Sequence, residues 1–213
     1  MERAEGTGTT VRERILATAT AEFLDRGFTD ASLRHIAAGA GVTTGAIYGY
    51  FASKGDLFDA IVRGPADELY ARYEAAQAAF YDMPADAQSL EVAARSERDL
   101  VHELYDFIFD NREAFLLLLT KSAGTSWEHF VDRYVDVELR STERYVREMG
   151  QRGMTVNELD LALSRTLAEL FFRAFFRPLE LGLSREETHA FVASCSRFFH
   201  AGYRALMDPA AGE

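Results

Sequence analysis

The sequence predicts an all-α protein. Apolar residues recur with helical periodicity along nearly the whole chain. No sustained alternation of apolar and polar residues marks a strand, and no Asn-Gly or Asp-Gly pair marks a hairpin turn. Helix start and stop signals divide the chain into three short N-terminal helices, a linker helix and a longer helical bundle.

The first helix opens at Thr10-Val11-Arg12-Glu13, a capping box in which hydroxyl and carboxylate each satisfy a free backbone amide. Val11, Ile15, Ala19 and Phe23 form its apolar stripe, and Gly27 ends it. Ser32 can cap a short second helix through Ala40, Gly41 supplies the turn, and Thr43 or Thr44 caps a third helix ending near Phe51. Ser53, with Asp56 three residues on, opens a fourth. Gly64-Pro65 predicts a break or kink there, because proline lacks an amide donor and crowds the preceding turn. Further helical stretches cover roughly 66–81, 88–110, 112–122, 126–151, 156–182 and 184–207, separated by loops at 82–86, 122–125 and 152–155.

At 213 residues, 48% hydrophobic and 27% charged, the chain can bury a sizeable core and has the composition of a soluble globular protein. Its longest apolar run, "FLLLL" at 115–119, is far below the ~20 residues of a membrane span. The charged N-terminus lacks a secretory signal, and a single cysteine, Cys195, can close no intramolecular disulfide and build no cysteine zinc site. A cytoplasmic protein is the simplest reading. His102, His129, His189 and His200 lack metal-ligand spacing, and no nucleophile–base pair or cofactor motif is present. No metal, cofactor or catalytic residue is therefore expected. The net charge of −11 is unevenly spread: residues 1–55 carry six basic and six acidic side chains, so the remaining 158 carry all of it. One end of the molecule could meet a polyanion while the acidic bulk is held away.

The most informative stretch is "SLRHIAAGAGVTTGAIYGYF" at 32–51. Its glycines loosely mimic a dinucleotide loop, but that loop needs a preceding strand, and this one follows a helix. Two short helices joined by a tight glycine-bearing turn are a helix-turn-helix. Leu33, Ile36, Ala37 and Ala40 give the first helix its buried side, Val42 plugs the turn, and Ile47 and Phe51 bury the second. Thr43, Thr44, Gly45, Ala46, Tyr48, Gly49 and Tyr50 are left on the exposed side. A merely packed helical corner would explain Ile47 and Phe51, but not two outward tyrosines and two threonines on a short, uncharged helix.

"SLRHIAAGAGVTTGAIYGYFASKGDLF", preceded by "ATAEFLDRGFTDAS" at 19–32, resembles the N-terminal domain of TetR-family transcriptional regulators over residues 9–65. The resemblance implies a DNA-binding domain at 9–65 and a helical effector-binding and dimerisation domain at 66–213. It further implies a homodimer that binds double-stranded operator DNA as a repressor and is released by a small molecule, with no membrane involved. By the same resemblance, Thr43 and Thr44 reach phosphates or base edges from the start of the recognition helix. Gly45 and Ala46 permit close approach to the major groove. Tyr48, Tyr50 and Lys54 meet phosphates, and Arg34 reaches a phosphate or a guanine. Where the family often has lysine or arginine this chain has Thr44, and where it often has a large residue it has Gly49. Fewer charges imply a shallower salt dependence, with Arg3, Arg12 and Arg14 able to add contacts.

The remaining residues suggest what the second domain senses. Along 126–151, Trp127, Phe130, Val131, Tyr134, Val135, Tyr145, Val146 and Met149 form one apolar stripe, interrupted by Glu138, Ser141 and Thr142. Glu138 is either salt-bridged to an arginine or part of a polar patch in the wall of a ligand cavity, where it would favour a cationic or hydrogen-bond-donating ligand. Tyr105, Phe109, Phe115, Phe171 and Phe175 fit the same cavity or a plain core, and their abundance favours a hydrophobic or aromatic effector. The last two helices are apolar on two faces: Leu163, Leu167, Leu170 and Ala174 on one, and Ala168, Phe172, Phe175 and Leu179 on another. Such a pair can bury one face and offer the other to a second copy. Leu179, Phe191, Cys195, Phe198 and Phe199 are the expected dimer contacts, with Pro178 kinking the first helix. The alternative is a small-molecule-binding helical protein that has lost its operator.

Overall fold

A computed structural model describes residues 9–82 and 90–207. Its described residues form α1 (Val11–Asp30), α2 (Leu33–Gly39), α3 (Thr44–Tyr48), α4 (Lys54–Asp82) and α5 (Leu90–Asp110). These are followed by α6 (Arg112–Thr120), α7 (Asp132–Gln151), α8 (Leu161–Leu181) and α9 (Arg185–Met207), so the fold is all-α. The expected loop at 83–86 and the helix start at 88–89 lie outside the described residues. No helix among those described is long and apolar enough to cross a membrane.

Packing divides the chain into two compact units. One comprises the residues through Ala66 with Glu113–Glu128; the other comprises Asp67–Arg112 and the residues from His129 on. The second domain read from sequence, 66–213, thus loses a segment to the first unit. The reason is local: Phe115, Leu117 and Leu118 of α6 are buried, the Phe28 amide donates to the Lys121 carbonyl at 3.1 Å, and the Thr29 hydroxyl donates to the Ala123 carbonyl.

In the first unit the capping box forms as the sequence predicts. The Thr10 amide donates to Glu13 Oε2 at 2.7 Å and the Glu13 amide to Thr10 Oγ1 at 3.2 Å. Those bonds, above all the backbone one, hold the Glu13 carboxyl below its ordinary range. Regular α1 geometry breaks at Gly27 (φ 77°, ψ 167°), a region open to glycine alone, and one more helical turn follows. Ile15, Ala19 and Phe23 of α1 are buried, as are Ile36, Ile47, Leu57 and Phe58 of the same unit. Each such large side chain contributes about 1.5–3 kcal/mol by burial. Phe58 meets Phe23 and Phe28 edge-on at 5.2 and 5.5 Å. Ser32 makes no side-chain cap; its own amide instead donates to Glu22 Oε1 at 3.0 Å. Ser53 does cap, accepting from the Asp56 amide at 3.0 Å.

Three expectations about helix limits need correction. Gly64-Pro65 does not break α4, which runs through it; buried Val62 and Ala66 anchor the flanking turns, and tertiary packing outweighs the lost amide donor. Residues 126–131 are turns, and α7 starts only at Asp132. Thr125 explains the delay, because its hydroxyl donates to the Ser122 carbonyl and accepts from the Trp127 amide at 3.0 Å, a local pattern that competes with helix. The helix read from 156 begins at Leu161, where Asp160 accepts from the Ala162 and Leu163 amides.

In the second unit α7 packs on α8, and α9 on both α5 and α8. Tyr134 sits at the centre of an aromatic cluster with Tyr73, Phe130, Phe172 and Phe176, centroids 5.4–5.9 Å away. Pro178 lies within α8 without ending it, and Gly182 closes the helix.

Candidate nucleic-acid surface and effector cavity

The helix-turn-helix is α2, the turn at Gly41, and α3. Gly41 takes φ 68°, a left-handed turn favourable to glycine. The Val42 amide returns to the Ala37 carbonyl at 2.9 Å. Thr43 caps α3, its Oγ1 accepting from the Ala46 amide at 3.1 Å, which leaves the hydroxyl proton available outward. Ile47 and Phe51 are buried beneath, while Tyr48 and Tyr50 are about half exposed. Thr43 and Gly45 are exposed, with Thr44 and Ala46 partly so. One face of this five-residue helix therefore holds it to α2 and the core, and the other presents hydroxyls and an open backbone.

The basic residues of this unit are mostly engaged inside it. Lys54 Nζ donates to the carbonyls of Thr29 and Ala31 at 3.0 and 3.1 Å and lies over the Phe28 ring. Its ammonium thus closes the end of α1 rather than standing free. Arg14 Nε donates to the Ala40 carbonyl at 3.2 Å, Arg26 pairs with Glu22 and Asp25, and Arg12 lies over Phe51. Arg34 is exposed, with no hydrogen bond or ion pair to a described residue. Arg3 lies outside the described residues.

The second unit holds a cavity of about 220 Å³. Of the nine expected ligand-contact residues, Tyr134, Glu138, Phe171 and Phe175 line it. Tyr105 and Phe130 are fully buried core, and Phe109 lies beneath the guanidinium groups of Arg112 and Arg185. Phe115 and Trp127 belong to the other unit, where Trp127 Nε1 donates to Asp59 Oδ1 at 3.0 Å and Arg63 closes on the same carboxylate at 2.7 Å. The non-helical turns at 126–131 are what remove Trp127 from the α7 stripe.

Glu138, Ser141 and Thr142, the polar interruptions of that stripe, all face the cavity. Tyr73 and Gln77 of α4 face them: Tyr73 Oη donates to Glu138 Oε2 at 2.7 Å, Gln77 Nε2 to Tyr73 Oη at 3.0 Å, and Ser141 Oγ to Gln77 Oε1 at 2.9 Å. Sequence reasoning missed Tyr73 and Gln77, although their i, i+4 spacing put them on one face of α4. The Tyr134 hydroxyl is buried without a hydrogen-bond partner among the described residues, and burial pushes its ionisation up. Burial does the same to Tyr145, also on the wall.

The expected dimer residues scatter. Leu179 is 1% exposed, so it belongs to the core of its own chain and cannot be offered to a second copy. Phe199 lines the cavity, and Phe191 and Cys195 are half-buried, burial pushing the Cys195 thiol up. Phe198 is 74% exposed, and on α8 it is Leu163 and Leu170, at 41% and 49%, that stay outside. The two faces of α8 were thus legible, but Leu179 lies on the inner one.

One cluster had no sequence signal. His102 and His189, 87 positions apart, bring their Nδ1 atoms to 2.7 Å, and His189 Nε2 lies 3.2 Å from Asp106. Arg185 hydrogen-bonds Asp106 and holds that carboxyl below its ordinary range. No group of three or more metal-binding side chains occurs among the described residues.

An all-helical chain with an N-terminal helix-turn-helix and a cavity in a separate helical unit defines a class, and comparison narrows it. The model for bacterial regulatory proteins of the tetR family matches residues 15–61. The HTH-type transcriptional repressor KstR2 of Rhodococcus jostii is 32% identical over 152 residues, covering 64% of this chain and 74% of that protein. KstR2 of Mycobacterium tuberculosis is 41% identical over 73 residues, 34% of this chain, so the match spans only 36% of that curated relative's length. Among solved structures, SmeT, the repressor of the Stenotrophomonas maltophilia multidrug efflux pump SmeDEF, superposes with a TM-score of 0.61 at 17% identity. That match covers 95% of this chain and 93% of SmeT, a likeness of fold. The chain belongs to the tetR family of bacterial regulatory proteins.

Proposed function

We propose that the protein is a ligand-responsive DNA-binding transcriptional repressor, acting in the cytoplasm as a homodimer on a palindromic operator and released by a small hydrophobic or aromatic molecule. The observation that carries this reading is the outer face of α3. Tyr48 on the second helix of a helix-turn-helix, and Tyr50 just past its end, stay exposed above buried Ile47 and Phe51, in a family of regulators. Thr43, Thr44, Gly45 and Ala46 approach the major groove, Tyr48, Tyr50 and Arg34 meet phosphates or base edges, and Lys54 adds positive charge behind them. The dimer forms through the outer face of α8 and Phe198 of α9, whose exposed Leu163 and Leu170 need a cover. It sets two α3 helices about 34–36 Å apart, one turn of DNA.

The effector occupies the second-unit cavity, whose walls combine phenylalanines with a few convergent polar groups. The Tyr134 hydroxyl, buried without a hydrogen-bond partner among the described residues, supports this, since a ligand could supply that bond. Release requires the ligand to bind one arrangement of the dimer better than the DNA-bound one. We assign the protein no catalytic reaction. A second reading, a small-molecule-binding protein that has lost its operator, is favoured by the internal engagement of Lys54, Arg14 and Arg26.

Genomic-fragment selection with the purified protein, followed by footprinting at two salt concentrations, separates the two readings. A protected, roughly palindromic site that weakens in Tyr48→Ala is expected. Weak binding without sequence preference, equal in that variant, supports the second reading instead.

A further inference from the structure

A pair of imidazoles joins α5 to α9. His102 and His189 bring their Nδ1 atoms to 2.7 Å, a hydrogen-bond distance with room for one proton only. The far side of His189 decides which ring supplies it. There Nε2 lies 3.2 Å from Asp106 Oδ1. Arg185 hydrogen-bonds Asp106 and holds that carboxyl below its ordinary range, so Asp106 is a carboxylate and can only accept. His189 Nε2 therefore bears its proton. In a neutral His189 that leaves Nδ1 a lone pair, and His102 Nδ1 must donate to it. The other charged groups nearby, among the described residues, are engaged with one another or face solvent. Arg185 also binds Asp110, and Glu103, next to His102, pairs with Arg72 of α4. On α8, which packs on α9, Arg177 pairs with Glu180, and Glu186 in the first turn of α9 is exposed.

This contact limits the charge the pair can hold. One added proton fits on His102 Nε2, because the bond between the two Nδ1 atoms is untouched. A second does not fit. Doubly charged, the pair would carry a hydrogen on every ring nitrogen, with two N–H groups head to head across 2.7 Å between two cations. We propose that His102 and His189 form a proton-operated latch, which holds α9 to α5 at neutral pH and opens on acidification. His189 is partly exposed, so protons reach it from solvent. Both helices wall the cavity, α5 through Leu100, Val101 and Leu104 and α9 through Phe199 and Met207, so an open latch loosens that wall. Below the ordinary histidine value of about 6.5 the unfolded chain charges both rings and the closed latch only one. Acid therefore favours the open or unfolded state.

Urea denaturation of the full chain between about pH 8 and about pH 5, at one protein concentration, tests the latch by comparing wild type with His102→Asn. The asparagine amide can donate to His189 Nδ1 when that ring is neutral and accept from it when charged, so the variant's contact survives acid. Relative to the variant, the wild-type folding constant is expected to fall by up to roughly tenfold per pH unit below about 6.5, the two converging toward pH 8. His35, His129 and His200 are common to both proteins and cancel. Parallel profiles would overturn the proposal. Nitrogen-15 histidine spectra of the wild type give a second readout that does not depend on the variant's stability. At the alkaline end His102 should be protonated at Nδ1 and His189 at Nε2, and the Nδ1–H signal of His102 should broaden into exchange with water as acid opens the latch. Both rings protonated at Nε2 alone, or a His102 Nδ1–H signal that persists while both rings charge in the folded protein, would overturn it as well. Neither result bears on operator binding, so the latch can fail while the proposed function stands.

Discussion

Tyrosine is used in opposite ways in the two units. Tyr48 and Tyr50 keep 53% and 51% of their surface exposed, whereas Tyr105 and Tyr134 keep 0% and 2%. Tyr48 on α3 and Tyr50 just past its end are only half covered by their own chain, Tyr50 by the neighbouring Phe51 ring, so contact area remains for another molecule. Around α7 the rings are the packing itself, Tyr134 meeting five others; the Tyr73 hydroxyl donates to Glu138, and that of Tyr134 is buried without a hydrogen-bond partner among the described residues. Under the function proposed above, the difference separates a recognition surface, where a side chain contributes little to its own chain's stability, from the core and cavity wall of the second unit, where aromatic side chains carry the packing.

The largest expected effect breaks that contrast directly. Tyr134→Ala should cost about 3–5 kcal/mol of stability, as large aromatic truncations in cores do, whereas Tyr48→Ala should stay within about 0.5 kcal/mol of wild type. Urea denaturation of both variants decides this, and equal losses would contradict the division. The buried pair also predicts an alkaline limit. Burial raises the ionisation of Tyr105 and Tyr134 above that of an unfolded tyrosine. Their contribution to stability is therefore complete below the unfolded value of about 10 and is lost as pH rises beyond it. Phenolate absorbance should show two of the nine tyrosines titrating only as the fold is lost. A smaller effect sharpens the N-terminal side. Thr10→Ala removes a capping-box hydroxyl and should cost about 1 kcal/mol, measurable as a lowered denaturation midpoint. Its partner Glu13, depressed by the Thr10 amide, contributes above the unfolded glutamate value of about 4.3 and loses that contribution as pH falls below it.

How much was legible follows the same division. The first three helices rest on neighbours a few residues apart, such as the Thr10–Glu13 box and the Ile47–Phe51 pair, so their chemistry could be read in order. Hydrogen bonds on the cavity wall join Tyr73 to Glu138 across 65 positions and Ser141 to Gln77 across 64, and no local period carries that information. Glu138, Ser141 and Thr142 were visible as interruptions of a stripe, but what faced them was not. Local rules misled where packing or a side-chain bond outweighed them: Pro65 between buried Val62 and Ala66, and Thr125 holding 126–131 out of helix. Leu179 was assigned to the wrong face because periodicity divides a helix into faces without saying which one the chain covers itself.

The most direct measurement is fluorescence anisotropy of the footprinted operator titrated with wild-type protein and with Tyr48→Ala, at matched salt. The account predicts saturable wild-type binding and a loss of about 1–3 kcal/mol, roughly tenfold or more, in the variant, with its denaturation midpoint unchanged. Equal affinity of the two proteins would contradict it, leaving α3 a packed corner and the cavity the functional part of the molecule.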